Sequence, residues 1–329
     1  MISRMIVLAI GFATLNVPAV VDVSLRAAYL KGADAKVTYR VVDDVGVPVE
    51  GATAHVWFRT TYPKLIIEDW VTRTDSNGMF IAMHRTNDRL SCGIDKEGYY
   101  HSFDRITFSD PRAYPLVTDG RWQPYGNMRT VVLKKIKVPC KLQPFPYSLR
   151  SCRIPEFGKW IGFDFECCEW IAPYGKGRYA DVLLRFSTMR KQIHEYRYVM
   201  DVSFTNNPYA GVYQMKADKS SDFTTTYNAD SNAIFKATFS YVKEQIPGSR
   251  RHWNILDGDS YLVFRTRTRI DEHGKLVGAY YGKILGEWFS EEENMVLSDG
   301  CFNPVENDVN IEDGSCLRDV LRNQNKKTR

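Results

Sequence analysis

Asp164, Glu166 and Glu169 stand close together in the chain. Paired carboxylates are the working groups of glycoside hydrolysis, which needs two of them ~5–9.5 Å apart. On a strand, Asp164 and Glu166 would share a face at ~7 Å, and Trp170 and Tyr174 could stack on a sugar beside them. No wider hydrolase signature accompanies the trio, and acidic residues on solvated strand faces are common, so no residue is assigned a catalytic role. A second group is cationic. Arg265, Arg267 and Arg269 alternate along one strand. They would share a face with Tyr261 and Val263, while Leu262, Phe264 and Ile270 take the other. Such a stripe suits an anionic glycan or a partner; it serves equally as a solvated face that blocks edge-to-edge pairing. Trp170, Tyr174, Arg178, Arg265, Arg267 and Arg269 are the candidate binding residues.

Other motifs carry less. Gly175-Lys-Gly177-Arg-Tyr-Ala180 spells a dinucleotide fingerprint, but Pro173 precedes it and no helix signal or βαβ unit surrounds it, so a glycine turn is expected. Asn228-Ala-Asp230-Ser-Asn232 and Asp308-Val-Asn310-Ile-Glu312 alternate oxygen ligands as calcium loops do. The glycine such loops need at their sixth position is Ala233 in one and Asp313 in the other. There is no Cys-x-x-Cys, no paired histidine spacing, no Ser-His-Asp signature and no phosphate loop. No cofactor and no metal are expected.

Chemistry of this kind needs a compartment. Arg4 precedes the apolar run Ile6-Val-Leu-Ala-Ile-Gly-Phe-Ala-Thr-Leu15, and Val17-Pro-Ala19 places small residues at a cleavage site. That is signal-peptide anatomy over residues 1–19, and it predicts a secreted or periplasmic protein. No later apolar stretch reaches membrane length, so no transmembrane span is expected in the mature chain. The seven cysteines agree with export. Cys92 reads as a buried core thiol. Turn formers flank two others, in Gly300-Cys-Phe-Asn-Pro304 and Glu312-Asp-Gly-Ser-Cys316, so the chain between them can double back. A disulfide between Cys301 and Cys316 is expected; the alternatives leave both free or pair each with another cysteine.

The elements that must position these groups are strands. The chain has 329 residues, 44% hydrophobic and 25% charged, which excludes a disordered or fibrous protein and suggests two domains. The net charge of +5 is spread along the chain and leaves no basic footprint for nucleic acid. Aromatics reach 13% and favour β structure. Lys36-Val-Thr-Tyr-Arg-Val-Val42 and Ala52-Thr-Ala-His-Val-Trp-Phe58 alternate, and Asp75-Ser-Asn-Gly78 predicts a tight hairpin between Trp70–Thr74 and Met79–Met83. Prolines 139, 144, 146 and 155 mark residues 137–155 as an extended connector. Residues 156–329 again alternate. The fold class is all-β, with two antiparallel β-sandwich domains over 33–136 and 156–329.

Val41-Val-Asp-Asp-Val-Gly46-Val-Pro48-Val-Glu-Gly51-Ala52, Thr74-Asp75-Ser-Asn-Gly78-Met-Phe80 and Lys96-Glu-Gly98-Tyr99 resemble the carboxypeptidase regulatory-like domain, a transthyretin-type β-sandwich. The resemblance covers residues 33–136 and implies an accessory module without catalytic residues. The whole chain also resembles a group of uncharacterised exported bacterial proteins that carry this module before a second β domain. Glu169-Trp170-Ile-Ala-Pro173-Tyr-Gly175-Lys-Gly177, Tyr281-Gly-Lys-Ile284 and Phe302-Asn-Pro304-Val-Glu-Asn307 carry that likeness. An aspartate is commoner in the group where this chain has Glu169. The combined expectation is an exported non-enzymatic binding or structural protein, its ligand a glycan or a cell-envelope partner. The alternative is a secreted carbohydrate-active hydrolase using Asp164, Glu166 and Glu169.

Overall fold

The computed structural model describes residues 23–313 apart from 111, 113, 115, 205–208, 255, 257 and 258. The expected leader and Cys316 therefore lie outside the described residues. In chain order the first domain contains helix α1 (Val23–Lys31), then β1 (Ala33–Asp43), β2 (Thr53–Thr60), β3 (Ile66–Arg73) and β4 (Met79–Thr86). It continues with β5 (Arg89–Asp95), β6 (Ser102–Thr107), β7 (Leu116–Thr118), β8 (Arg121–Gln123) and β9 (Asn127–Leu133). The second contributes β10 (Gln143–Pro144), β11 (Cys152–Arg153), β12 (Trp160–Asp164), β13 (Glu169–Trp170), β14 (Val182–Gln192) and β15 (Glu195–Phe204). The remainder are β16 (Gly211–Lys216), β17 (Thr238–Gln245), β18 (His252–Asn254), β19 (Ser260–Ile270), β20 (Leu276–Glu291) and β21 (Asn294–Phe302). The all-β expectation holds.

Alternation builds the first sandwich. Ala33, Ala35, Val37, Tyr39 and Val41 of β1 point one way and are buried against Ala54, Val56 and Phe58 of β2. One sheet runs β3-β2-β5-β6; the other sets β4 against β1 and continues to β8 and β7. Its pairing is not purely antiparallel, because β9 returns alongside β1 in parallel, from Val37↔Asn127 to Asp43↔Leu133. The glycine turn at 75–78 is not a hairpin either. It carries the chain from β3 in one sheet to β4 in the other. Gly78 is needed there: its φ is +74°, and a Cβ would stand 2.3 Å from the Val41 carbonyl oxygen. Helix α1 went unread in the sequence; its Ala28 is buried in this core, with Leu25 and Tyr29 packed beside it.

The second sandwich packs β13-β12-β14-β15-β17-β18 against β10-β21-β20-β19-β16. Its core is aromatic, with Phe165 stacked on Phe264 at 4.7 Å and Trp170 edge-on to Phe163 at 5.0 Å. Residues 137–155 do not form a free connector. β10 and β11 pair with β21, and Phe145, Leu149 and Ile154 are buried in the core, so the proline-rich stretch belongs to the second domain. Pro144 lies in the short edge pairing of β10 and the other three lie outside the strands, where a missing N–H costs little.

A third layer covers the outer face of the β19–β20 sheet. Phe235, Ala229 and Ile311 bury Tyr261, Val263 and Tyr281 there. The same covering segment reaches the first domain. Phe103 donates its amide to the Ser220 carbonyl and Asp222 donates to the His101 carbonyl. Glu312, itself buried, accepts the Lys137 and Val138 amides at 2.8 and 2.7 Å and the Tyr100 hydroxyl at 3.0 Å. These bonds fix the two domains to each other.

Candidate functional site

The three arginines of β19 do not share a face. Strand register shifts between Thr266 and Arg269, and Arg267 takes a left-handed φ of 49° at that bulge. A bulge residue rotates its side chain out of the alternation, so Arg267 turns to the opposite side from Arg265. Arg265 is buried under the covering layer. Its Nε donates to the Tyr209 carbonyl at 2.5 Å, its Nη1 donates to the Ser231 carbonyl at 2.9 Å, and Phe235 stacks 3.8 Å from its guanidinium carbon. Arg269 pairs with Glu306 at 2.6 Å on the surface. The expected cationic stripe is thus three separate structural contacts.

Arg267 instead meets two of the acidic trio, Asp164 and Glu166, together with Asp181. Its Nη2 lies 2.9 Å from Asp164 Oδ1, its Nη1 2.5 Å from Glu166 Oε2, and its Nε 2.8 Å from Asp181 Oδ1. Asp181 also accepts the Thr266 hydroxyl and the Phe165 amide. Asp164 takes the amides of Arg178 and Tyr179 on its other oxygen. Burial raises the Asp164 carboxyl, and those two amides with Arg267 outweigh it, leaving the group below the usual carboxylate range. Burial dominates at Asp181 and holds it above that range against the pull of Arg267. Glu166 lies beyond the end of β12, in a turn rather than on the strand. Glu169 is exposed. The sharing of one guanidinium by Asp164, Glu166 and Asp181 makes them a counter-ion set that fixes a loop, not an acid and base facing a substrate.

β13 and that loop, residues 171–180, hold the remaining candidates. Trp170 is only 5% exposed, packed on Phe163 and Phe186, with its indole N–H donating to the Arg153 carbonyl, so it is core and not a platform. Tyr174 is exposed and donates to Glu156. Arg178 is exposed as well. No helix follows Gly175; the chain turns and enters β14, as the glycine-turn reading requires. The oxygen-rich stretches are likewise local. Asp230 accepts the Asn232 amide, Asp308 the Asn310 amide, and Asn310 the Glu312 amide. Cys92 is buried, as read from its strand, and no two of the described cysteines are bonded.

The surface that sequence reasoning missed is the outer face of the β12–β14–β15–β17 sheet. Trp160 stands opposite Arg185, Arg185 opposite Asp201, and Asp201 opposite Ser240, so four strands bring one residue each into a row. Trp160 is 44% exposed, and the Arg185 guanidinium lies 4.8 Å from its ring centroid. Arg185 donates to Asp201 Oδ2 at 2.9 and 3.1 Å, and Ser240 donates to Asp201 Oδ1 at 2.6 Å. The row floors a shallow hollow of about 270 Å³ that also includes Ser203 and Thr238. The only trace in the sequence was an aromatic residue opening a strand; cross-strand register supplied the rest.

No protein-family model matches the chain, and no curated protein matches it. Among solved structures, it is similar over 32% of its length to 3-chlorocatechol 1,2-dioxygenase from Rhodococcus opacus 1CP, at 15% identity, 62% of that chain and a TM-score of 0.26. Catechol 1,2-dioxygenase from Acinetobacter radioresistens is similar over the same share at 14% identity, 53% of that chain and a TM-score of 0.26. Hydroxyquinol 1,2-dioxygenase from Pseudomonas putida DLL-E4 gives 17%, 57% of that chain and 0.25. The chain spans less than two thirds of each of these enzymes.

Proposed function

We propose that the protein is an exported, non-enzymatic binding protein that holds a glycan on the outer face of its second domain. The row Trp160–Arg185–Asp201–Ser240 carries this reading. A half-exposed indole offers an apolar face to the C–H side of a sugar ring. Beside it, a guanidinium, a carboxylate and a hydroxyl already bonded to one another present fixed donors and acceptors to sugar hydroxyls. The first domain would serve as an accessory module of the carboxypeptidase regulatory-like type. Export through a leader over residues 1–19 would place it among envelope or extracellular glycans.

Affinity electrophoresis of the full chain through gels containing soluble polysaccharides tests the proposal. Retardation by at least one polysaccharide is expected, weakened roughly tenfold or more by Trp160→Ala. Unretarded migration in every gel of a panel of neutral and acidic polysaccharides overturns it.

A further inference from the structure

Resting on that glycan reading, we infer that the cleft beside the Trp160 row is a second subsite, selective for a carboxylate-bearing sugar unit. The two sheets of the second domain part at the edge where β16 faces β17 and β18, leaving a cleft of about 350 Å³. That falls within the range of small-ligand pockets. Leu262 floors it, and Phe239 and Tyr241, edge-on to each other at 5.2 Å, form a wall. Aromatic walls of this kind take the flat face of a pyranose ring.

The polar groups set the ligand's charge. Gln214 and Asn254 bring neutral donors and acceptors to the cleft. Among the described residues, Lys236 is the one charged group in its lining, and none there is a carboxylate. An ammonium in such a setting favours an anion and gains little from a neutral sugar. The backbone of Lys236 is fixed, although it lies outside the regular strands. It donates to the Val212 carbonyl at 2.7 Å and accepts the Val212 amide at 3.1 Å. Gly211 permits that approach, since a Cβ there would stand 2.7 Å from the Lys236 carbonyl oxygen. The backbone that carries the ammonium is therefore held before any ligand arrives.

The cleft adjoins the proposed glycan face at β17. Phe239 and Ser240 line both the hollow under Trp160 and the cleft. A chain lying across Trp160 crosses three strand spacings, ~14 Å, to β17 and presents a later ring to Lys236. The class of ligand is then an acidic oligosaccharide such as a uronate-containing chain.

Isothermal titration of the full chain with trigalacturonate and with its neutral counterpart galactotriose, at low and at moderate salt, tests this. Tighter binding of the acidic trisaccharide by about tenfold at low salt is expected, with the preference shrinking as salt rises. Lys236→Gln, on an exposed side chain, is expected to abolish the preference, and Asn254→Ala to weaken both sugars. Trp160→Ala should weaken both alike. Equal affinity for the two sugars, or a preference that survives Lys236→Gln, overturns the subsite and leaves the Trp160 face standing. Acid-selective binding that ignores Trp160→Ala keeps the subsite and overturns the face. Absence of binding by both sugars overturns the subsite.

Discussion

Arg267 and Asp181 meet between the two sheets of the second domain: Nε lies 2.8 Å from Oδ1 and Nη2 lies 3.1 Å from Oδ2. The two side chains belong to β19 and to the residue just before β14, so the pair ties opposite sheets together at the mouth of the sandwich. Asp181 is fully buried, and Tyr179 and Phe302 enclose the guanidinium at 4.3 and 4.7 Å. A buried pair of this kind contributes little relative to an apolar substitute, yet removing one partner strands the other charge.

Arg267→Met should therefore cost about 3–5 kcal/mol, because Asp181 and Asp164 are left buried without their cation. Denaturant unfolding of the full chain measures it. Adding Asp181→Asn to Arg267→Met should restore part of the loss, since the stranded charge is gone. A single variant as stable as the natural chain would show that the cluster does not hold the sheets.

Asp164 gives the pH dependence. Its folded carboxyl lies below the unfolded value of ~3.9, so its contribution is complete above that value and is lost as pH falls through the folded one. Asp181, raised by burial, has the opposite sign: its contribution is complete below the unfolded value and is lost as pH rises through the folded one. A difference measurement separates them. The stability gap between the natural chain and Asp164→Asn should be constant near neutrality and narrow below about pH 4. A gap independent of pH down to acid unfolding would assign the group no titrating role.

Gly78 and Gly46 make a matched comparison. Both have positive φ, +74° and +87°, but only Gly78 has backbone against its missing side chain; nothing lies within 4 Å at Gly46. Gly46→Ala should cost about 1 kcal/mol from backbone conformation alone, and Gly78→Ala clearly more, because the Val41 carbonyl must also move. Thermal unfolding of the two variants under identical conditions checks the order. Equal midpoints would mean that the corner at 75–78 yields freely.

Alternation along single strands was legible, which is why the β class, the inward faces of β1 and β2, and the burial of Cys92 follow from the residues. What depends on pairing between distant strands was not. The bulge at Arg267 breaks a period-two pattern without any proline or glycine to announce it, so the three arginines looked like one stripe. The covering layer that buries Tyr261 and Val263 comes from residues more than twenty positions away, and nothing in β19 marks its outer face as covered. Trp170 reads as a sugar-stacking residue beside the carboxylates, yet its ring turns into the core. The row at Trp160 needs the register of four strands, which no local pattern encodes.

The last prediction concerns Cys301 and Cys316. Cys301 is 1% exposed on β21, and burial pushes its thiol up to about 12, with Asp313 and Cys140 among the groups acting on it. Asp313 bridges to Cys140, and Cys140 donates its amide to the Glu312 carbonyl at 3.1 Å, so the chain arrives beside β21 just before Cys316. Three further residues span ~10 Å when extended, which brings Cys316 within chain reach of Cys301. In an oxidising compartment the pair should form, closing a loop worth ~3 kcal/mol in the chain-entropy model. Peptide mapping without reductant, on material collected outside the cytoplasm, should recover one linked peptide pair carrying both residues. Reduction should then lower the unfolding midpoint. Free thiols at both positions, or a Cys140–Cys301 link in their place, would sink the assignment.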